Sequence, residues 1–414
     1  MTRLQAPETS VNTAEGFETE VASVLQQLRR SVTAVLAAVP ELDSSSSATD
    51  VQRALNINSK LSWQVHKFAT TPRPMNVTSH LPKPAAMKRF CEAAKKRAVP
   101  PTLITQVMRS VEAFGRLVDE HAGDRATFDA MVGNLCGDSA ASQLALGHRR
   151  DAFRAQSHIW GVQAKAMISL MIFRDGSKPG TTDGITAGGR VHLRRFRHDA
   201  HWILAARCVA SDKRIIGPGG SQALFPDDLE RFGAPLLGKY CDANAESFRV
   251  VQSDAGVRFI EATAGLIGNN SAVTYMSGEI WRDVQNTSTP DGTNWLLARA
   301  MVRVPVEVLY HDVLVHRDMH VKRPPEVHHF SDIGHGNETL WHEDYDRLPL
   351  YDSVTYLGRG AECVFAPEYP LYPELVHDVV TSVNWDPSEF EVYRCRVAYP
   401  VLPSTLTMRF RATD

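Results

Sequence analysis

Residues 103–118, LITQVMRSVEAFGRLV, decide how the first third of the chain folds. Leu103, Val107, Val111, Phe114 and Val118 recur every three or four residues, the spacing that gathers one apolar face on a helix. Upstream, Phe17, Val21, Val24, Leu25, Leu28, Val32, Val35 and Leu36 repeat it over 14–39, and downstream Phe128, Met131 and Leu135 begin it again. After Gly176 the texture changes. Short β-branched or aromatic runs at 191–196, 202–209, 248–251, 256–262, 295–308 and 404–410 are separated by Gly, Pro, Asn and Asp clusters. The expected fold class is α+β. A disordered polar tail at 1–14 leads into a helical region at 15–172 and then a larger β-rich α+β domain at 176–414, with helices of its own at 226–236 and 372–383.

Charge divides the chain in the same place. Residues 51–165 hold 17 Lys+Arg against 8 Asp+Glu, whereas residues 166–414 hold 25 against 32. A basic segment of this kind suits a polyanionic partner. The whole chain, at 43% hydrophobic and 22% charged residues, has globular composition. Its six cysteines form no C-x-x-C pair, which predicts ordinary reduced thiols. No run approaches the roughly 18–20 apolar residues of a membrane span. Glu8, Glu15, Glu18 and Glu20 stand where a secretory signal would be apolar, so a cytoplasmic protein without membrane association is expected.

Residues 48–70, ATDVQRALNINSKLSWQVHKFAT, carry the most structured local pattern. Two short helices, 49–55 and 59–68, are expected around an Asn56-Ile57-Asn58 turn, with Thr49 or Asp50 as first N-cap. Ala54 permits close helix crossing, and Leu55, Ile57, Leu61 and Val65 form the wedge of core between the helices. The segment resembles the helix-turn-helix of DNA-binding regulators, whose second helix enters the major groove. That resemblance implies an outward face of Ser59, Lys60, Trp63, Gln64 and Lys67, with Gln64 reading an adenine edge and the two lysines on phosphates. Asn56 stands where such a turn usually has glycine, and Ser62 where the second helix usually begins its apolar side.

Two patches after Gly176 invite other chemistry. GRVHLRRFRHDAH, residues 189–201, would as a strand send Arg190, His192, Arg194 and Phe196 to one side. It reads as a solvated edge strand protected by charge, with a phosphate or single-strand ribbon as the alternative. Between residues 311 and 342 lie His311, His316, His320, His328, His329, His335 and His342. In VLVHRDMHV, residues 313–321, a strand would align Leu314, His316, Asp318 and His320. His316-Arg317-Asp318 also matches the H-x-D half of the iron and 2-oxoglutarate oxygenase pattern. That resemblance implies a jelly-roll site of His316, Asp318 and His377 holding iron, with Arg394 on the cosubstrate carboxylate. H-E-x-x-H, the phosphate-loop pattern, G-x-G-x-x-G and G-x-S-x-G do not occur. The glycine-rich residues 217–221 read as a surface turn.

The leading expectation is a non-enzymatic, cytoplasmic regulator that binds double-stranded DNA through the helix pair and needs no cofactor. It would work as a homo-oligomer, with the helix at 14–39 as dimerisation element and the β-rich domain sensing a ligand or joining copies. The alternatives are the iron oxygenase and a non-catalytic assembly protein whose basic patches are interfaces.

Overall fold

Prolines and local caps cut the first part of the chain into helices. The computed structural model describes residues 9–43, 45–71, 75, 78, 80–135, 138–197, 202–209, 215–216, 220–242, 248–252, 257–262, 267–285, 287–288, 293–332 and 346–413. The chain forms two compact units, Met1–Ala145 and Leu146–Asp414. The first contains α1 (Thr9–Ala37), α2 (Ala48–Leu55), α3 (Ser59–Thr70), α4 (Pro84–Lys96), α5 (Pro101–His121) and α6 (Arg125–Leu135), and α7 (Asp138–Trp160) crosses the boundary. Pro84 and Pro101 each stand in a first helical turn, where a missing N–H costs nothing. Helix α1 starts at Thr9, inside the tail expected to be disordered.

Val21, Leu25, Leu28, Val32 and Val35 of α1 are all at most 1% exposed and share one core with Phe68, Phe90, Val107, Phe114 and Phe128. Each such side chain contributes roughly 1.5–3 kcal/mol by leaving water. The apolar stripe of α1 is therefore consumed inside its own unit. Any contact between copies through α1, the expected dimerisation element, would have to use its other face.

In the second unit follow β1 (Val162–Asp175), β2 (Thr181–Arg195), β3 (Trp202–Val209), β4 (Ile215–Ile216), β5 (Gln222–Ala223), α8 (Pro226–Phe232), β6 (Phe248–Gln252) and β7 (Val257–Ala262). Then come β8 (Val273–Gln285), β9 (Thr287–Ser288), β10 (Asn294–Val302), β11 (Val306–His316), β12 (Glu326–Ser331), β13 (Arg347–Leu348), β14 (Val354–Arg359), α9 (Tyr372–Thr381), β15 (Phe390–Ala398) and β16 (Ser404–Arg411). A seven-stranded sheet runs β14-β15-β11-β1-β2-β8-β5, a five-stranded one β13-β12-β16-β10-β9, and a four-stranded one β4-β3-β7-β6. Only the β1–β11 pairing inside the large sheet is parallel, so that sheet is mixed.

Two apolar layers hold the large sheet. On one, Leu309, Val313 and Val315 of β11 meet Ala298, Ala300, Leu406 and Phe410 of the five-stranded sheet. On the other, Ile168, Leu170 and Leu314 meet Tyr372, Leu375, Val376 and Val379 of α9. The helical region was expected to reach residue 172, yet Val162–Asp175 is strand β1. It is buried on both faces, so its apolar run lacks the alternation that separates a strand from a buried helix. Strand β2 lies between β1 and β8 and is not the edge strand anticipated for 189–201. Among the described residues no helix is long and apolar enough to cross a membrane.

Candidate nucleic-acid interface

The helix pair forms where local chemistry directs it. Ser47, not Thr49 or Asp50, is the N-cap of α2. Its hydroxyl accepts the Asp50 N–H at 3.3 Å, and the Asp50 carboxylate accepts the Ser47 N–H at 2.9 Å, a reciprocal capping box. Asn56 ends α2 in the left-handed conformation, φ 48° and ψ 50°, and its N–H returns to the Gln52 carbonyl. Two residues later the Asn58 side chain accepts the Leu61 N–H at 2.8 Å and starts α3. The turn thus uses one asparagine to stop a helix and another to start the next.

Between the helices, Ala54, Leu55, Leu61 and Val65 are buried, and Ile57 packs on the same core. Ser62 is 1% exposed, and its hydroxyl donates to the Ala48 carbonyl. The polar residue that departs from the family pattern is therefore a tie between α3 and the start of α2. His66 Nε2 lies 3.0 Å from the Ser46 carbonyl, and Arg29 of α1 donates to the Thr71 carbonyl at 3.2 Å. The arginine places a cation at the negative end of the α3 dipole.

The opposite face of α3 is open. Ser59, Lys60, Trp63 and Lys67 are exposed and Gln64 is half-buried. Residues 60, 63, 64 and 67 form one stripe, spanning about 10 Å at the helical rise of ~1.5 Å per residue. The major groove, ~12 Å wide, admits a helix, whose diameter with side chains is about 10–12 Å. The stripe has two lysines and no carboxylate, and among the described residues neither lysine has an ion-pair partner. Within the stripe, Trp63 makes an edge contact with His80, with ring centroids 5.1 Å apart. Lys88, Arg89, Lys95 and Lys96 of α4 are exposed in the same unit.

The chain matches no known protein-family model and no curated protein. Its own geometry therefore carries the reading.

The histidines do not converge. Strand β11 stops at His316 and the chain turns at Arg317-Asp318, so the strand expected over 313–321 does not continue and His320 is not aligned with His316. His316 pairs with Glu389 at 3.2 Å and lies 3.8 Å from the exposed Asp318, while His377 is exposed on α9. Among the described residues the group of three whose ligand atoms lie within 4.8 Å of one another is Glu20, Glu120 and His121, so His316, Asp318 and His377 do not form the expected donor set. His335 and His342 lie outside the described residues, as do 217–219 of the glycine-rich turn.

Two histidines are structural ties instead. Fully buried His311 sits 3.2 Å from the Ser169 hydroxyl on β1 and 3.1 Å from the Ala298 carbonyl on β10, linking the two sheets. His329 reaches the Ser404 hydroxyl at 2.8 Å across the β12–β16 ladder, and burial pushes its pKa down to about 4. Arg394, expected to hold a cosubstrate carboxylate, is engaged elsewhere. Its guanidinium grips the fully buried Asp312 with two 2.7 Å hydrogen bonds, and Tyr372 donates to the same carboxylate at 2.6 Å.

Proposed function

We propose that this protein is a DNA-binding regulator whose second helix, α3, lies in the major groove. The observation that carries the reading is the α2–α3 pair: closed by left-handed Asn56, cross-tied by Ser62, and presenting Lys60, Trp63, Gln64 and Lys67 on one uncompensated stripe. Lys60 and Lys67 contact phosphates and set the register, and Gln64 offers a bidentate pair to an adenine edge. The second unit senses a ligand or joins copies, giving a homo-oligomer on paired half-sites in the cytoplasm. This reading calls on no metal or cofactor.

The test is fluorescence anisotropy with mixed-sequence duplex DNA, comparing the full chain with a Lys60→Ala/Gln64→Ala/Lys67→Ala variant. The full chain is expected to bind at low salt and to weaken as salt rises. If the lysines meet two phosphates, the variant lowers the slope of log K against log salt by about 1.8, since each phosphate contributes about 0.9. Equal binding by both proteins, or none by either at low salt, rejects the α3 assignment.

A further inference from the structure

Independently of the first unit, the second unit holds a cleft of about 430 Å³ bordered by β1, β2, β11 and the segment after Gly238–Tyr240. That is the size range of small-molecule sites. Glu307 and Lys165 of the lining are joined by a 2.6 Å ion pair, so they neutralise each other. Arg194 of the same lining is not neutralised in this way. Arg194 is held by two neutral amides of the cleft wall, its Nη1 donating to the Asn269 oxygen and its Nε and Nη2 facing the Gln163 amide, and its guanidinium lies 5.7 Å from the Phe196 ring. Among the described residues it has no carboxylate partner. A planar cation fixed by neutral amides keeps its full charge, and the two N–H groups of its five that the amides do not take, for an anion.

His192 stands beside it for a structural reason. Strand β2 bulges against β8 between Arg190 and Leu193, and His192 takes a left-handed φ of 49° with its N–H 3.2 Å from the Thr274 hydroxyl. A bulge re-aims a side chain, and backbone strain of this sort concentrates where a ligand is met. Here it puts the imidazole in the cleft wall. Asp242, also in the cleft lining and anchored by its N–H to the Thr274 carbonyl at 3.0 Å, presents a carboxylate with no hydrogen bond or ion pair among the described residues.

We propose that this cleft binds a small zwitterion of the amino-acid type, its carboxylate on Arg194 and His192 and its ammonium on Asp242. A simple anion would leave Asp242 facing it unpaired, and a simple cation would do the same to Arg194. A ligand with both charges satisfies both residues at once.

Isothermal titration of the full chain with each of the standard L-amino acids tests this, with acetate and methylammonium as single-charge controls. At least one amino acid is expected to bind in the millimolar range or tighter, and neither control should. Arg194→Gln and Asp242→Asn should each weaken binding by about tenfold or more, the worth of one hydrogen-bonded charge. Asp242→Asn keeps the shape of an exposed side chain, so it remains informative if Arg194→Gln disturbs the fold. Absence of binding by every amino acid, equal binding of acetate or methylammonium, or undiminished affinity in Asp242→Asn overturns the assignment.

Discussion

Asn56 occupies a backbone conformation that a side chain with Cβ enters at a cost of roughly 1–2 kcal/mol, and asparagine is among the residues that tolerate it. Asn56→Gly should therefore keep or slightly raise stability, whereas Asn56→Val should lower it by about 1 kcal/mol or more. Urea unfolding of the two variants checks this, and an unaffected Asn56→Val would mean that the turn is not under that constraint. This residue was legible in advance because the tolerance is a property of its own side chain. Asp312 was not. Nothing within HDVLVH marks the aspartate as buried, since its partners Arg394 and Tyr372 come from β15 and α9. Arg394→Met would leave a fully buried carboxylate unpaired and should cost about 3–5 kcal/mol, while Tyr372→Phe removes one hydrogen bond and should cost about 1–3 kcal/mol. The two share one carboxylate, so the double variant should fall short of their sum. Losses below 1 kcal/mol for Arg394→Met would show that the carboxylate finds other partners or water.

Among elements, legibility follows where the deciding contacts lie. The bounds of α2 and α3 were nearly readable because caps and turn residues act within three or four positions. The expected 59–68 helix extends only to Thr70, and the cap of α2 moved from Thr49 or Asp50 to Ser47. Strand β1 reads as helix in the sequence because burial on both faces erases the period of two. The 295–308 run merged β10 with β11, although the two strands belong to different sheets. The aligned face of His316, Asp318 and His320 failed for a related reason. Parity along a strand is a valid argument only while the strand lasts, and β11 ends where its pairing with Phe390 of β15 ends. Residues 190–194 are visibly basic in the sequence, but nothing local shows that β2 is central, nor that Asp242 lines the same cleft as Arg194. Those neighbours are remote along the chain and carry no local signal.

For the molecule as a whole, buried imidazoles should govern the onset of acid unfolding of the second unit. Burial, with the Arg149 charge as a smaller cause, lowers the pKa of His329 from 6.5 to about 4. Desolvation likewise lowers those of His311 and His328. The folded state refuses a proton that the unfolded chain accepts between pH 6.5 and about 4, so stability is present above that window and is lost as pH falls through it. For His329 alone the loss is about 2 kcal/mol at pH 5, growing to roughly 3 kcal/mol below pH 4. Carboxylates whose pKa values are lowered, such as Glu326 and Asp378, act below their unfolded values of 4.5 and 3.8, so the two effects separate along the pH axis. His329→Gln can still bond the Ser404 hydroxyl and cannot take the proton. Urea unfolding at pH 7.5 and pH 5 should accordingly show a pH-dependent loss smaller by about 2 kcal/mol in the variant, whatever its stability at neutral pH. An unchanged difference between the two pH values would mean that His329 gains its proton without unfolding, and that the β12–β16 ladder opens locally to let it do so.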